Sequence, residues 1–256
     1  MNTMLVDWRN PAGWTYEQKQ RKADLVSVYW TASAESVKDI SGKKLVAWQP
    51  GLPLYNTGAT VQTPYSSELE KIANQYKART GDLFIEDPVG MSVERLDLTK
   101  RGFAAAWAGL MVRQFPWADG FHLDYWWSGI VPEVEQPAWE KGMSTFAAIL
   151  RMQDPDAILI GQNDRLLGDT WSSLNGCFLE QSPYFNGRNP AVHALDLNAF
   201  KGLMARAHPE RPMISVMEVR EPWRWALTDL DNVLRWADGL GLYCSLGRDK
   251  TGGWTP

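Results

Sequence analysis

Cysteine and histidine are scarce: Cys177 and Cys244 are the only thiols, and His122, His193 and His208 the only imidazoles, in 256 residues. Each cysteine lies in an apolar, strand-like run, so two buried thiols are expected, with neither a disulfide framework nor a metal site. A metal-dependent amidohydrolase needs several histidine and carboxylate ligands, and these histidines form no H-x-H pair, so a catalytic metal is not expected. Positive charge is also short. The chain carries 26 Lys and Arg against 30 Asp and Glu, a net −4, and its bases are scattered, which leaves no electrostatic footprint for nucleic acid or an anionic membrane. No apolar run approaches bilayer length, and the first eight residues lack the basic start and apolar core of an export signal, so a soluble chain is expected.

Tryptophan is in excess, with 14 copies against 8 Tyr and 8 Phe. An indole offers a broad apolar face and one donor, which suits the C–H faces of sugar rings, and it also fills interiors readily. Short β-rich runs alternate with amphipathic ones through most of the length, the pattern of repeated βα units on a parallel sheet. Strands are expected at Met4–Trp8, Leu25–Trp30, Leu45–Gln49, Gly120–Tyr125, Ala157–Gln162, Gly176–Glu180, Met213–Glu218 and Leu242–Leu246. Eight strands with interposed helices in about 250 residues match a (β/α)8 barrel. No linker or composition shift divides residues 1–256, so one domain is expected, and a monomer. The alternative, a doubly wound open sheet, predicts a glycine-rich first turn, where Arg9-Asn10-Pro11-Ala12-Gly13-Trp14 stands instead.

Helical periodicity is clear in three places. Ser67-x-x-Glu70 reads as a capping box ahead of Leu69, Ile72, Ala73 and Tyr76. Thr99 is placed to cap a helix striped by Phe103, Ala106, Trp107, Leu110 and Met111. Leu227, Leu230, Val233, Leu234 and Ala237 mark the last, with Gly239 and Gly241 available to stop it. Within 81–98, Leu83-Phe84-Ile85 and Ser92-Val93-Glu94-Arg95-Leu96 predict a short hairpin inserted between the third helix and the fourth barrel strand.

Barrel chemistry lies at the carboxyl ends of the strands. Those ends carry acids, amides and aromatics, with no lysine for a Schiff base. After the seventh strand, Arg220-Glu221-Pro222-Trp223-Arg224-Trp225 puts bulk where barrel phosphate sites use glycine. Along the fourth strand, alternation sets Phe121 and Leu123 on one face and His122, Asp124 and Trp126 on the other. Cleaving a glycosidic bond takes two carboxyl groups flanking it, one protonated and one ionised. Asp124 and Glu180 are the best pair, because each ends an apolar strand, and the more desolvated of two such acids keeps its proton. Glu180 is read as the acid/base and Asp124 as the nucleophile or stabilising carboxylate. Glu218 is the rival acid or a substrate hydrogen-bonding group. Substrate contacts are expected from Asp7, Trp8, Trp30, Trp48, Gln49, His122, Tyr125, Trp126, Asn163, Glu218 and Arg248. For His122, an orienting partner of Asp124 or a core histidine is an open alternative.

Asp119-Gly120-Phe121-His122-Leu123-Asp124-Tyr125 resembles the DG-hydrophobic-x-LD-Y strand of glycoside hydrolase barrels related to the endo-α-1,4-polygalactosaminidases, glycoside hydrolase family 114. Gly176-Cys177-Phe178-Leu179-Glu180 is similar to the G-x-F-x-E run of their sixth strand. Leu96-Asp97-Leu98-Thr99, then a helix with Trp107, then Asp119-Gly120 follow the same order, so the resemblance is strongest in the middle third. It implies a (β/α)8 barrel with acids ending the fourth and sixth strands, cleavage of an oligo- or polysaccharide, and no cofactor. The α-amylase family shares a G-F-R-L-D fourth strand, but His122 replaces its basic residue and Gly161-Gln162-Asn163 ends the fifth strand without an acid. Two other classes fit the bulk features: a catalytically silent carbohydrate-binding barrel, and a small hydroxy-acid isomerase or lyase with a compact pocket.

Overall fold

The structure, a computed structural model, describes residues 2–7, 12, 16–20, 22–29, 32–48, 68, 71–72, 75, 84–86, 94–96, 98–123, 133–162, 172–179, 201–202, 205, 210–211, 213–219 and 227–246. The strands in chain order are β1 (Asn2–Asp7), β2 (Leu25–Tyr29), β3 (Lys43–Trp48), β4 (Phe84–Glu86), β5 (Glu94–Leu96), β6 (Gly120–Leu123), β7 (Ile158–Gln162), β8 (Gly176–Leu179), β9 (Val216–Val219) and β10 (Tyr243–Leu246). The helices are α1 (Tyr16–Lys19), α2 (Ala34–Val37), α3 (Arg101–Gln114), α4 (Gln136–Gln153) and α5 (Leu227–Gly239). All strands except β4 and β5 close into one barrel, each parallel to its neighbours, with β10 returning to β1. This is the expected (β/α)8 fold. The inserted hairpin is present too, as an antiparallel β4–β5 pair with Phe84 opposite Leu96 and Glu86 opposite Glu94.

Strand alternation divides the buried residues into two sets. Met4, Val6, Leu25, Leu45, Ile158, Ile160, Phe178, Ile214 and Val216 form one cluster, supplied by strands and their lead-in residues with no helix contributing. That cluster is the filled barrel interior. The intervening residues Val46, Phe121, Leu123, Leu159, Cys177, Met217 and Cys244 belong to a second cluster with Trp107 and Phe103 of α3 and Trp139 and Phe146 of α4. Each of these large helix side chains is at most 2% exposed and contributes about 2–3 kcal/mol by leaving water. Both cysteines are buried, as the sequence leads one to expect, on the helix-covered face of β8 and β10. Burial pushes the Cys244 thiol up to about 11.

Some boundaries differ from the sequence reading. β9 forms at Val216–Val219, later than Met213–Glu218, and β3 begins earlier, at Lys43. The cap position of α3 falls on Lys100, one residue after Thr99, and no side chain caps there. α5 ends as anticipated: Gly241 takes a φ of 68° and Leu242 N–H donates to the Ala237 carbonyl at 2.9 Å, closing the last turn as helix C-terminal glycines do. Glu68, Lys71, Ile72 and Gln75 are helical, within the segment that the capping box introduces.

Candidate active site at the carboxyl end of the barrel

The interior changes character along the barrel axis. Near the amino ends it is lined by Met4, Leu25, Leu45, Ile160 and Val216. Farther along the same strands come Ser27 and His122 (both 0% exposed), then Gln162 and Glu218 (both 5%), with Ser245 (0%) opposite Glu218. The floor of the barrel is thus hydrocarbon, and its buried polar side chains gather toward the carboxyl end, where each needs a hydrogen-bonding partner.

His122 is fixed by groups from non-adjacent strands, which proves that it points inward. Its Nδ1 lies 3.0 Å from Ser27 Oγ on β2, with β3 between them. Its ring centroid is 4.7 Å from that of Phe178 on β8, with β7 between. Burial lowers the imidazole pKa from 6.5 to about 3. The ring is therefore neutral at physiological pH, and the Ser27 hydroxyl donates to Nδ1 or accepts from it according to the tautomer.

The two strands that lead to the candidate acids start with the same local device. Asp119 N–H donates to the Lys44 carbonyl at 2.7 Å, its Oδ2 accepts from Lys44 N–H at 2.8 Å, and its carbonyl accepts from Ile158 N–H at 2.8 Å. Asn175 repeats this one strand pair on: N–H to the Leu159 carbonyl at 2.7 Å, Oδ1 from Leu159 N–H at 2.9 Å, carbonyl from Ile214 N–H at 2.9 Å. Asp24 does likewise ahead of β2, with Oδ2 accepting from Thr3 N–H at 2.7 Å and its carbonyl accepting from Lys43 N–H at 3.0 Å. In each case one side-chain oxygen extends the ladder by a bond before the strand begins.

Glycine follows the device at Gly120 and Gly176, because the next strand's backbone presses on the α-carbon. A Cβ at Gly120 would stand 2.0 Å from the Ile158 carbonyl oxygen, and one at Gly176 would stand 1.4 Å from that of Ile214. The glycines of both quoted motifs thus have a packing reason. Arg151 locks the Asn175 copy in place, donating to Asn175 Oδ1 at 2.7 Å and to the Ser173, Pro155 and Ala157 carbonyls.

Among the sequence-predicted site residues, the structure places His122 and Glu218 inside the barrel and describes the backbone of Asp7 and Trp48 at the ends of β1 and β3. Asp124, Glu180, Trp8, Trp30, Gln49, Tyr125, Trp126, Asn163 and Arg248 lie outside the described residues, as do the side chains of Asp7 and Trp48. Asp124 follows β6 directly in sequence, and Glu180 follows β8. Ser27 and Ser245 are not singled out as site groups by the sequence. Their signal is a polar residue at an inward-phase position of an otherwise apolar strand. Among the described residues no group of three or more potential ligands is arranged to hold a metal ion, and no helix is long and apolar enough to cross a membrane.

No protein-family model matches the sequence, and no curated protein matches it by sequence. In three dimensions the chain is similar to the glycoside hydrolase domain of PelA from Pseudomonas aeruginosa, with a TM-score of 0.56 and 15% identity over 95% of this chain and 93% of that one. It is also similar to Aspergillus fumigatus Ega3, solved as a complex with galactosamine, with a TM-score of 0.62 and 7% identity over 98% and 92%. A third likeness, to Eubacterium rectale Amy13B, has a TM-score of 0.54 and 8% identity, covering 88% of this chain and 58% of that one. At such identities the likeness is one of fold, the closed (β/α)8 barrel.

Proposed function

We propose that this chain is a glycoside hydrolase that cleaves an oligo- or polysaccharide with Glu180 as acid/base and Asp124 as nucleophile or stabilising carboxylate. The observation that carries the reading is the contact between His122 and Phe178 across the barrel, with ring centroids 4.7 Å apart. Each of these residues stands two positions before one of the two acids. A strand continued at its period of two turns residues i and i+2 to the same side, so the inward phase of His122 and Phe178 supports an inward phase for both carboxyls. His122, with no exposed surface, takes the role of a positioning group beneath Asp124, and substrate contact falls to groups nearer the mouth. The family-114 resemblance supports the same pair, and the barrels of PelA and Ega3 support the same reaction class.

The chemistry requires one acid that is protonated when the leaving oxygen departs and one that is ionised, and it needs no cofactor. Because Ega3 was solved with galactosamine, a galactosamine polymer heads the panel of polysaccharides to be tried. Release of new reducing ends is the readout. Glu180→Gln is expected to lose turnover by a factor of about 100 or more while still binding the polymer. Unchanged turnover removes Glu180 from the mechanism, and binding without cleavage by the unsubstituted chain marks a carbohydrate-binding barrel instead.

A further inference from the structure

Interior side chains of such a barrel stack in layers of four, each layer drawn from alternate strands. Two contacts fix one layer here: Ser27 of β2 bonds His122 of β6, and His122 packs on Phe178 of β8. Leu45 links Ser27 to Gly120 in the paired register, and Ile160 links His122 to Gly176, so each contact skips a strand and gains two residues. The same step from Phe178 runs through Val216 to Tyr243 and ends on Ser245 of β10. From Ser245, the register carried one residue past the Thr3–Cys244 pair runs through Met4 to Leu25, and the step returns to Ser27. The layer thus closes as Ser27, His122, Phe178 and Ser245, with Ser245 across the barrel axis from His122.

Ser245 is wholly buried, and its Oγ has no hydrogen-bond partner among the described residues. The same stepping gives the layers on either side, which are described as well: Met4, Leu45, Ile160 and Val216 toward the amino end, and Val6, Ala47, Gln162 and Glu218 toward the carboxyl end. Two positions of the Ser245 layer are serines where such barrels usually carry branched bulk, so side-chain volume is short on the β2 and β10 sides. A buried hydroxyl left unbonded is costly, and polar groups too far apart to bond directly are commonly joined by water. We infer that one ordered water is held inside the barrel on Ser245 Oγ, with His122 across the axis and Glu218 beside it as its other partners. Each has the chemistry to serve. A neutral imidazole presents one donor and one acceptor nitrogen, and a carboxylate accepts several bonds at once. Glu218 stands opposite Ser245 in the register, turns to the same face and is 5% exposed. Three partners are what a buried water usually has. The water completes a polar belt that runs from Ser27 through His122 to Ser245, and it ties that belt to Glu218 in the layer above. The site is a property of the fold and stands or falls apart from the hydrolase reading.

The test is a crystal structure of the full chain at a resolution that shows ordered water, beside the same structure of Ser245→Val. The unsubstituted chain should show a water about 2.7–3.2 Å from Ser245 Oγ and within the same reach of His122 or Glu218. In Ser245→Val the added methyl groups should take its place, and the density should be lost. Oxygen-17 relaxation dispersion of the solvent reads the same difference in solution, where Ser245→Val should lose one long-lived water. Ser245 Oγ bonded directly to a protein atom, a dry site beside it, or a water that Ser245→Val leaves undisturbed overturns the inference. Should Ser245→Val fail to fold, the density in the unsubstituted chain decides by itself.

Discussion

His122 enters the barrel as a neutral ring because the interior offers no solvent to a cation, and burial accordingly lowers its pKa from 6.5 to about 3. The unfolded chain takes up a proton at this ring as pH falls through 6.5, and the folded chain does not until about 3. Within that window the unfolded state holds the extra proton, so the stability tied to a neutral His122 is complete above the window and declines on acidification. The decline from this one group is at most about 1.4 kcal/mol per pH unit. His122→Asn, which keeps a polar group opposite Ser27, lacks this term. It is expected to be less stable than the unsubstituted chain at neutral pH, through lost packing on Phe178, with the gap narrowing as the pH is lowered. Urea denaturation across that range checks this, and a gap independent of pH contradicts it.

Among the elements, β6 and β8 precede the two proposed acids in sequence, and each begins after an Asx residue that extends its ladder. Asn175→Ala leaves the buried Leu159 N–H without its 2.9 Å acceptor and removes one anchor of Arg151. The expected cost is about 2–3 kcal/mol in chemical denaturation, since a buried donor pays its full desolvation penalty. Asn175→Asp keeps the acceptor and sets a carboxylate against the Arg151 guanidinium, so it should be markedly milder. Equal costs for the two variants contradict the account. The strands themselves were legible in the sequence because apolar β-rich runs bounded by turn residues recur eight times, and His122 was assigned to the right face by simple alternation. The Asx device was not. Asp24, Asp119 and Asn175 look like ordinary turn residues until the neighbouring backbone is in place, since their partners Thr3, Lys44 and Leu159 are fixed only by closure of the sheet. Nor did local sequence show that β9 begins at Val216, because Met213–Ser215 is as apolar as the strand that follows and only pairing distinguishes them.

For the molecule as a whole, the barrel interior changes from apolar to polar along one axis. Its amino half is hydrocarbon, filled by Leu25, Leu45, Ile160 and Val216, while polar side chains accumulate toward the carboxyl half at Ser27, His122, Gln162, Ser245 and Glu218. That gradient was partly legible: reading strand ends identified Gln162 and Glu218, whereas Ser27 and Ser245 are small residues whose role emerges only when strands two apart meet inside the barrel. The central claim is that Asp124 and Glu180 face each other across the carboxyl end and flank a glycosidic bond. It is tested most directly by a crystal structure of the Glu180→Gln chain with an oligosaccharide bound. The account predicts that residues 124 and 180 bracket one glycosidic oxygen with their side-chain carbonyl carbons about 5–9.5 Å apart, the lower end denoting a retaining enzyme and the upper an inverting one. A sugar bound elsewhere, or the two side chains turned to opposite faces of the sheet, contradicts it.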